Sequence, residues 1–161
     1  MADLLWEQVA EIFDPELVGA LPDLVVDDAG MAGWQALLEL IAEQDWPCTY
    51  EEGGTVRPIP ADARRLWNAV HEDSVELRVR PTPGMLVIFR AYAPESIDFD
   101  VDLRELQGQQ QLDAFCAFLR TVGRHLDRQV LMYAEGDAGH PLLRFDAASD
   151  RLKLLAESPQ A

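Results

Sequence analysis

Residues 1–161 are expected to form one α+β domain with a mainly antiparallel sheet covered by helices. Three observations carry that expectation. Ile97, Phe99 and Val101 alternate with Asp98, Asp100 and Asp102. A strand sends successive side chains to opposite faces, so this stretch carries an apolar face and a carboxylate face back to back. Val75, Leu77 and Val79 alternate in the same way with Glu76, Arg78 and Arg80, and the apolar run Met85–Phe89 follows, so 75–102 reads as a meander. Residues 109–126 place Leu112, Phe115, Cys116, Leu119, Val122 and Leu126 at helical spacing. The strands cluster instead of alternating regularly with helices, which argues against a doubly wound sheet.

The remaining elements follow in chain order. Leu5, Val9, Ile12 and Phe13 predict a helix over 3–13, ended by Asp14-Pro15. Trp6 lies off its apolar stripe and is expected at the surface. A strand is expected over 23–26, then a helix capped by Asp27-Asp28 with Trp34, Leu37, Leu38 and Ile41 inward, ending near Gln44. Residues 46–50 read as a strand, 51–54 as its turn and 55–57 as the return. Pro58 and Pro60 stop the pairing. Residues 61–70 predict a helix with Ala63, Leu66, Trp67 and Val70 inward, and His71-Glu72-Asp73 a polar turn. In the meander, Met85–Phe89 is expected to be central and buried on both faces. Gly108 breaks the chain before the long helix, within which Gly123 suggests close packing. Strands over 130–134, 142–145 and 151–155 should extend the sheet.

Composition bounds the function. Apolar residues make up 48% of the chain and charged residues 26%, the balance of a globular protein. No apolar run spans a bilayer and the amino terminus does not read as a secretory signal, so a cytoplasmic protein is expected. Twenty-nine acidic against thirteen basic residues give a net charge of −16. That field disfavours nucleic acid and anionic membranes, and favours a cationic protein partner. Cys48 and Cys116 lie in different kinds of segment and are expected as reduced thiols.

No catalytic signature is present. Lys153 is the sole lysine and has no phosphate-loop motif around it. Asp98-x-Asp100-x-Asp102 resembles the start of a calcium loop, but Leu103 stands where that loop needs glycine and Gln109 where it needs a bidentate glutamate. Carboxylates two apart on a strand are about 7 Å apart, too far to chelate one ion unaided. His71, His125 and His140 lack the spacing of a zinc helix, and His125 near a helix end suits a structural role. Neither a cofactor nor enzymatic activity is expected.

Several stretches together have a family look: Leu21-Pro22 through Gly33–Leu38, Ile97–Leu106, Phe118–Arg124, and Glu135-Gly136 with Leu143–Asp146. In style and layout they resemble small acidic α+β proteins that serve as immunity partners of bacterial polymorphic toxins, or uncharacterised relatives of these. The resemblance implies inhibition by binding, in which the protein occludes a toxin domain, and it carries over no catalytic residue. The expected interface is Asp98, Asp100 and Asp102, with Glu72, Asp73 and Glu76 as a competing acidic cluster and Glu51/Glu52 another. A regulatory or scaffolding partner is the first alternative. A metal-dependent enzyme using Asp98, Asp100 and Asp102 is the second. A DNA-mimic inhibitor is a variant of the immunity reading.

Overall fold

A computed structural model describes residues 4–68, 74–137 and 139–155. In chain order its elements are α1 (Trp6–Val9), a 3-10 turn (Ala10–Phe13), α2 (Pro15–Val18), β1 (Asp23–Val26), α3 (Gly30–Glu43), β2 (Cys48–Glu52), β3 (Thr55–Arg57) and α4 (Arg65–Asn68). Then come β4 (Val75–Thr82), β5 (Met85–Arg90), β6 (Ile97–Val101), a 3-10 turn (Leu103–Glu105), α5 (Gln109–Leu126), β7 (Val130–Tyr133), β8 (Pro141–Asp146) and β9 (Arg151–Leu154). Among the described residues all nine strands join one antiparallel sheet, ordered β3-β2-β4-β5-β6-β1-β7-β8-β9. The protein is α+β, and no described helix is long and apolar enough to cross a membrane.

The alternating stretch around Phe99 becomes β6, the middle strand of the sheet. Ile97, Phe99 and Val101 are buried, and Asp98 and Asp100 on the other face are half-exposed. The meander β4-β5-β6 forms as the alternation predicts. Its first turn is Pro83-Gly84, and the register slips between Val79 and Thr82, where Pro81 has no N–H for the ladder.

Among the described residues, helices cover one face only. Phe118 of α5 meets Phe89 and Phe99 with ring centroids 6.3 and 6.0 Å away. Trp34 of α3 donates from Nε1 to Ser96 O at 3.1 Å. Fully burying side chains of this kind stabilises by roughly 1.5–3 kcal/mol each. Gly123 lets α5 settle on β8, because a Cβ there would stand 2.2 Å from Cδ2 of Phe145. At the other end of α5, Gln109 Oε1 accepts from Trp6 N at 2.7 Å, its Nε2 donates to Leu4 O at 2.9 Å, and Phe13 packs edge-on against Phe115.

One-sided cover corrects the expectation for Met85–Phe89. Met85, Val87 and Phe89 are buried, whereas Leu86 and Ile88 are half-buried on the uncovered face. Asp14, in extended conformation, ends the first helical region as expected, and it also accepts from Glu16 N at 2.9 Å to cap α2, with Pro15 at the first position, where its missing N–H costs nothing. Three local expectations change. Asp27 and Asp28 do not cap α3, whose first N–H instead donates to Glu95 O at 3.2 Å. Glu51 and Glu52 belong to β2, because Gly53 and Gly54, with φ of 58° and 83°, make the tight turn between them and β3. Trp6 is half-buried, its ring edge-on to Phe13 at 5.9 Å. Ala63 and Leu66 are buried as predicted, and α4 is shorter than expected among the described residues. Val70, His71, Glu72 and Asp73 lie outside the described residues.

Candidate functional site

The uncovered face of the sheet is where the charges collect. Strand alternation dictates which side chains reach it: Glu51 from β2, Glu76 and Arg78 from β4, Arg90 from β5, Asp98 and Asp100 from β6, and Asp23 from β1.

One half of this face is internally compensated. Arg90 Nε donates to Asp100 Oδ2 at 2.6 Å, and its Nη1 to Glu76 Oε1 at 2.8 Å. Glu76 in turn accepts from Arg78 at 3.0 Å, and Arg78 also lies 3.6 Å from Glu51. A chain of alternating charge therefore crosses β6, β5, β4 and β2. It separates Glu51 from Glu76, which the register sets directly opposite each other.

The other half is not compensated. Register places Arg90 opposite Asp98, but the guanidinium turns to Asp100 and Glu76 instead. Asp98 is left with the Ser96 hydroxyl, which donates at 3.2 Å, and with no basic partner among the described residues. Asp23 sits directly opposite Asp100, an arrangement that like charges disfavour. Asp23, Asp27, Asp98 and Asp100 line one depression of about 480 Å³, together with Tyr92 and Tyr133. Among the described residues no lysine or arginine lines it. Burial, followed by the negative charges of Asp27, Asp23 and Asp100, pushes the Asp98 carboxyl above its usual range, against the opposing hydrogen bond from Ser96. Tyr133 is opposite Asp23 across the β1–β7 ladder, and Tyr92 is largely exposed at the rim.

The sequence-predicted residues thus separate. Asp98 and Asp100 reach the depression. Asp102 follows the same alternation but turns to other work: it accepts from Arg104 N at 2.9 Å, caps the 3-10 turn and pairs with the Arg104 guanidinium at 2.8 Å. The hydrogen bond from Arg104 holds its carboxyl below the usual range. Glu76 lies in the compensated half, and the placement of Glu72 and Asp73 is outside the described residues. Glu52 is on the covered face, where it accepts from the Tyr50 hydroxyl at 2.6 Å and from Arg65. Asp23, Asp27, Tyr92 and Tyr133 were not predicted. The alternation Asp23, Val25, Asp27 signals a shared face, but nothing local signals that β1 lies beside β6.

For the metal reading, the stretch 97–101 is a strand and not a loop, with Asp100 held by Arg90 and Asp102 by Arg104. Among the described residues no three carboxylate, imidazole or thiol groups converge as metal ligands. His125 lies in the last turn of α5, and His140 Nδ1 is 3.5 Å from Asp137. Cys48 and Cys116 are not joined in a disulfide, and burial raises the Cys48 thiol pKa to about 11.

Comparison with protein-family models, with curated proteins and with solved structures finds no match.

Proposed function

We propose that this protein is a non-catalytic acidic binding protein of the cytoplasm, whose uncovered sheet face receives a cationic protein partner. Read with the family resemblance in the sequence, the partner is a basic toxin domain and the protein its immunity-type inhibitor. One observation carries the reading: Asp23, Asp27 and Asp98 share a depression that no described basic side chain lines, while arginines neutralise the neighbouring carboxylates. Asp23, Asp27 and Asp98 repel one another and have no basic partner among the described residues, so an incoming Lys or Arg relieves that repulsion as well as adding attraction. The net charge of −16 steers such a partner from a distance.

The test is affinity capture from the native cell at low and at moderate salt, read by mass spectrometry, then titration of the captured partner against an Asp23→Asn/Asp27→Asn/Asp98→Asn variant. The expected result is one stoichiometric basic partner, whose affinity falls about tenfold or more in the variant, mostly through slower association. Equal binding by the variant would move the interface elsewhere. Capture of no basic protein at either salt would remove the reading altogether.

A further inference from the structure

The helical layer carries a second concavity, unrelated to the acidic depression. It lies between the C-terminal half of α3 and the segment 59–61 and has a volume of about 450 Å³. Its lining is mainly apolar, with Leu38, Ala42, Trp46 and Ile59 contributing, and Ile59 is 44% exposed. Two carboxylates, Glu39 and Asp45, line it as well, and among the described residues no basic one does.

The walls are pinned from both sides. Gln35 Nε2 donates to Ala61 O at 2.8 Å, and Ala63 N donates to Gln35 Oε1 at 2.7 Å, which fastens the segment to α3. Trp46 is backed by Phe118, with ring centroids 5.5 Å apart. A pre-formed, mainly apolar cleft with a few charged groups is the usual make-up of a binding groove, and its size falls in the usual range.

We infer that this groove docks a basic amphipathic segment of a partner protein, an apolar side chain resting on Ile59 and Trp46 and a Lys or Arg reaching Glu39 and Asp45. Charge selects the occupant. An anionic segment would meet the two carboxylates, and a second copy of this chain would bring its own −16 to the same surface. Short amphipathic segments bind such grooves through a few spaced apolar anchors, with flanking charge setting specificity.

The experiment titrates the full chain with a short Trp-free lysine–leucine peptide and with its glutamate–leucine counterpart, by calorimetry and tryptophan emission at about 0.15 M salt. The lysine peptide is expected to bind and to shift the emission of the groove tryptophan; the glutamate peptide is not. Ile59→Ser, at a position already exposed, should weaken binding about tenfold while leaving circular dichroism unchanged. Glu39→Gln/Asp45→Asn should weaken it about threefold and flatten its salt dependence. The open-face variant Asp23→Asn/Asp27→Asn/Asp98→Asn should bind the peptide within about twofold of wild type, which separates this groove from the site proposed above. The inference is overturned if Ile59→Ser binds as wild type or the open-face variant loses binding. It is overturned equally if the glutamate peptide binds as tightly, if sedimentation shows that self-association occupies the groove, or if the lysine peptide does not bind at about 1 mM.

Discussion

Arg90 holds the uncovered face together, and replacing it with Met gives the sharpest test of how that face is divided. Its guanidinium makes two charge-assisted contacts, 2.6 Å to Asp100 and 2.8 Å to Glu76. The three side chains are 26%, 17% and 19% exposed, so solvent screens the contacts only in part. Hydrogen bonds between charged groups are worth about 1.5–3 kcal/mol when buried and about 0–1 when exposed. Two partly buried contacts therefore sum to about 2 kcal/mol. Methionine keeps most of the apolar stem, so the loss is electrostatic. Glu76 retains Arg78, but Asp100 is left facing Asp23 with no counter-charge. For a chain of this size the loss corresponds to a fall in Tm of about 4–8 °C, measured by thermal and urea denaturation. The gap should narrow in about 1 M salt, where the Debye length is about 3 Å. Adding Asp100→Asn should recover about 1 kcal/mol, because the orphaned carboxylate is then gone. A variant within about 0.3 kcal/mol of wild type in low salt would refute the division into compensated and uncompensated halves. So would a loss that salt leaves unchanged.

Gly123→Ala would ordinarily stabilise a helix by up to about 1 kcal/mol, but here the new methyl would meet the ring of Phe145 at 2.2 Å. Overpacking of about 3 kcal/mol should win, for a net loss of about 2 kcal/mol by denaturation, and a variant as stable as wild type would show that α5 and β8 can separate freely. Asp98→Asn should raise stability at pH 7. The folded-state carboxyl is held above its unfolded value, so the folded protein binds the proton more tightly; the stabilisation this gives at low pH is lost as pH rises through the folded value, and the ionised group is a cost at neutrality. The advantage of the variant should therefore shrink on acidification through the carboxylate range, and a variant less stable than wild type at pH 7 would contradict the burial and repulsion assigned to Asp98.

Much of the fold is legible locally. The alternation in 97–101 and the three-and-four spacing in 109–126 follow from backbone geometry, and both segments form where their patterns put them. Gly123 is legible too, since a glycine in an otherwise strong helix implies a close neighbour, although Phe145 as that neighbour is not. Caps are less legible: Asp27 and Asp28 have the chemistry to cap α3, but Glu95, distant in sequence, accepts its first N–H instead.

The sequence by itself determined the class of the protein, its strong negative charge, and which residues share a face within each strand. Those properties depend on contacts a few residues apart or on simple sums. Only the tertiary structure decided which strands are neighbours, that the described helices all cover one face of the sheet, and which carboxylates arginines neutralise. Asp23 and Asp100 are opposite each other because β1 inserts between β6 and β7. That pairing closes a long loop, and it is decided by the burial of Leu24 and Val26 on the helix-covered face, not by any local signal around Asp23. The three aspartates of the alternating stretch are equivalent in sequence. They become a rim carboxylate, an ion-pair partner and a helix cap because Ser96, Arg90 and Arg104 reach them differently in space.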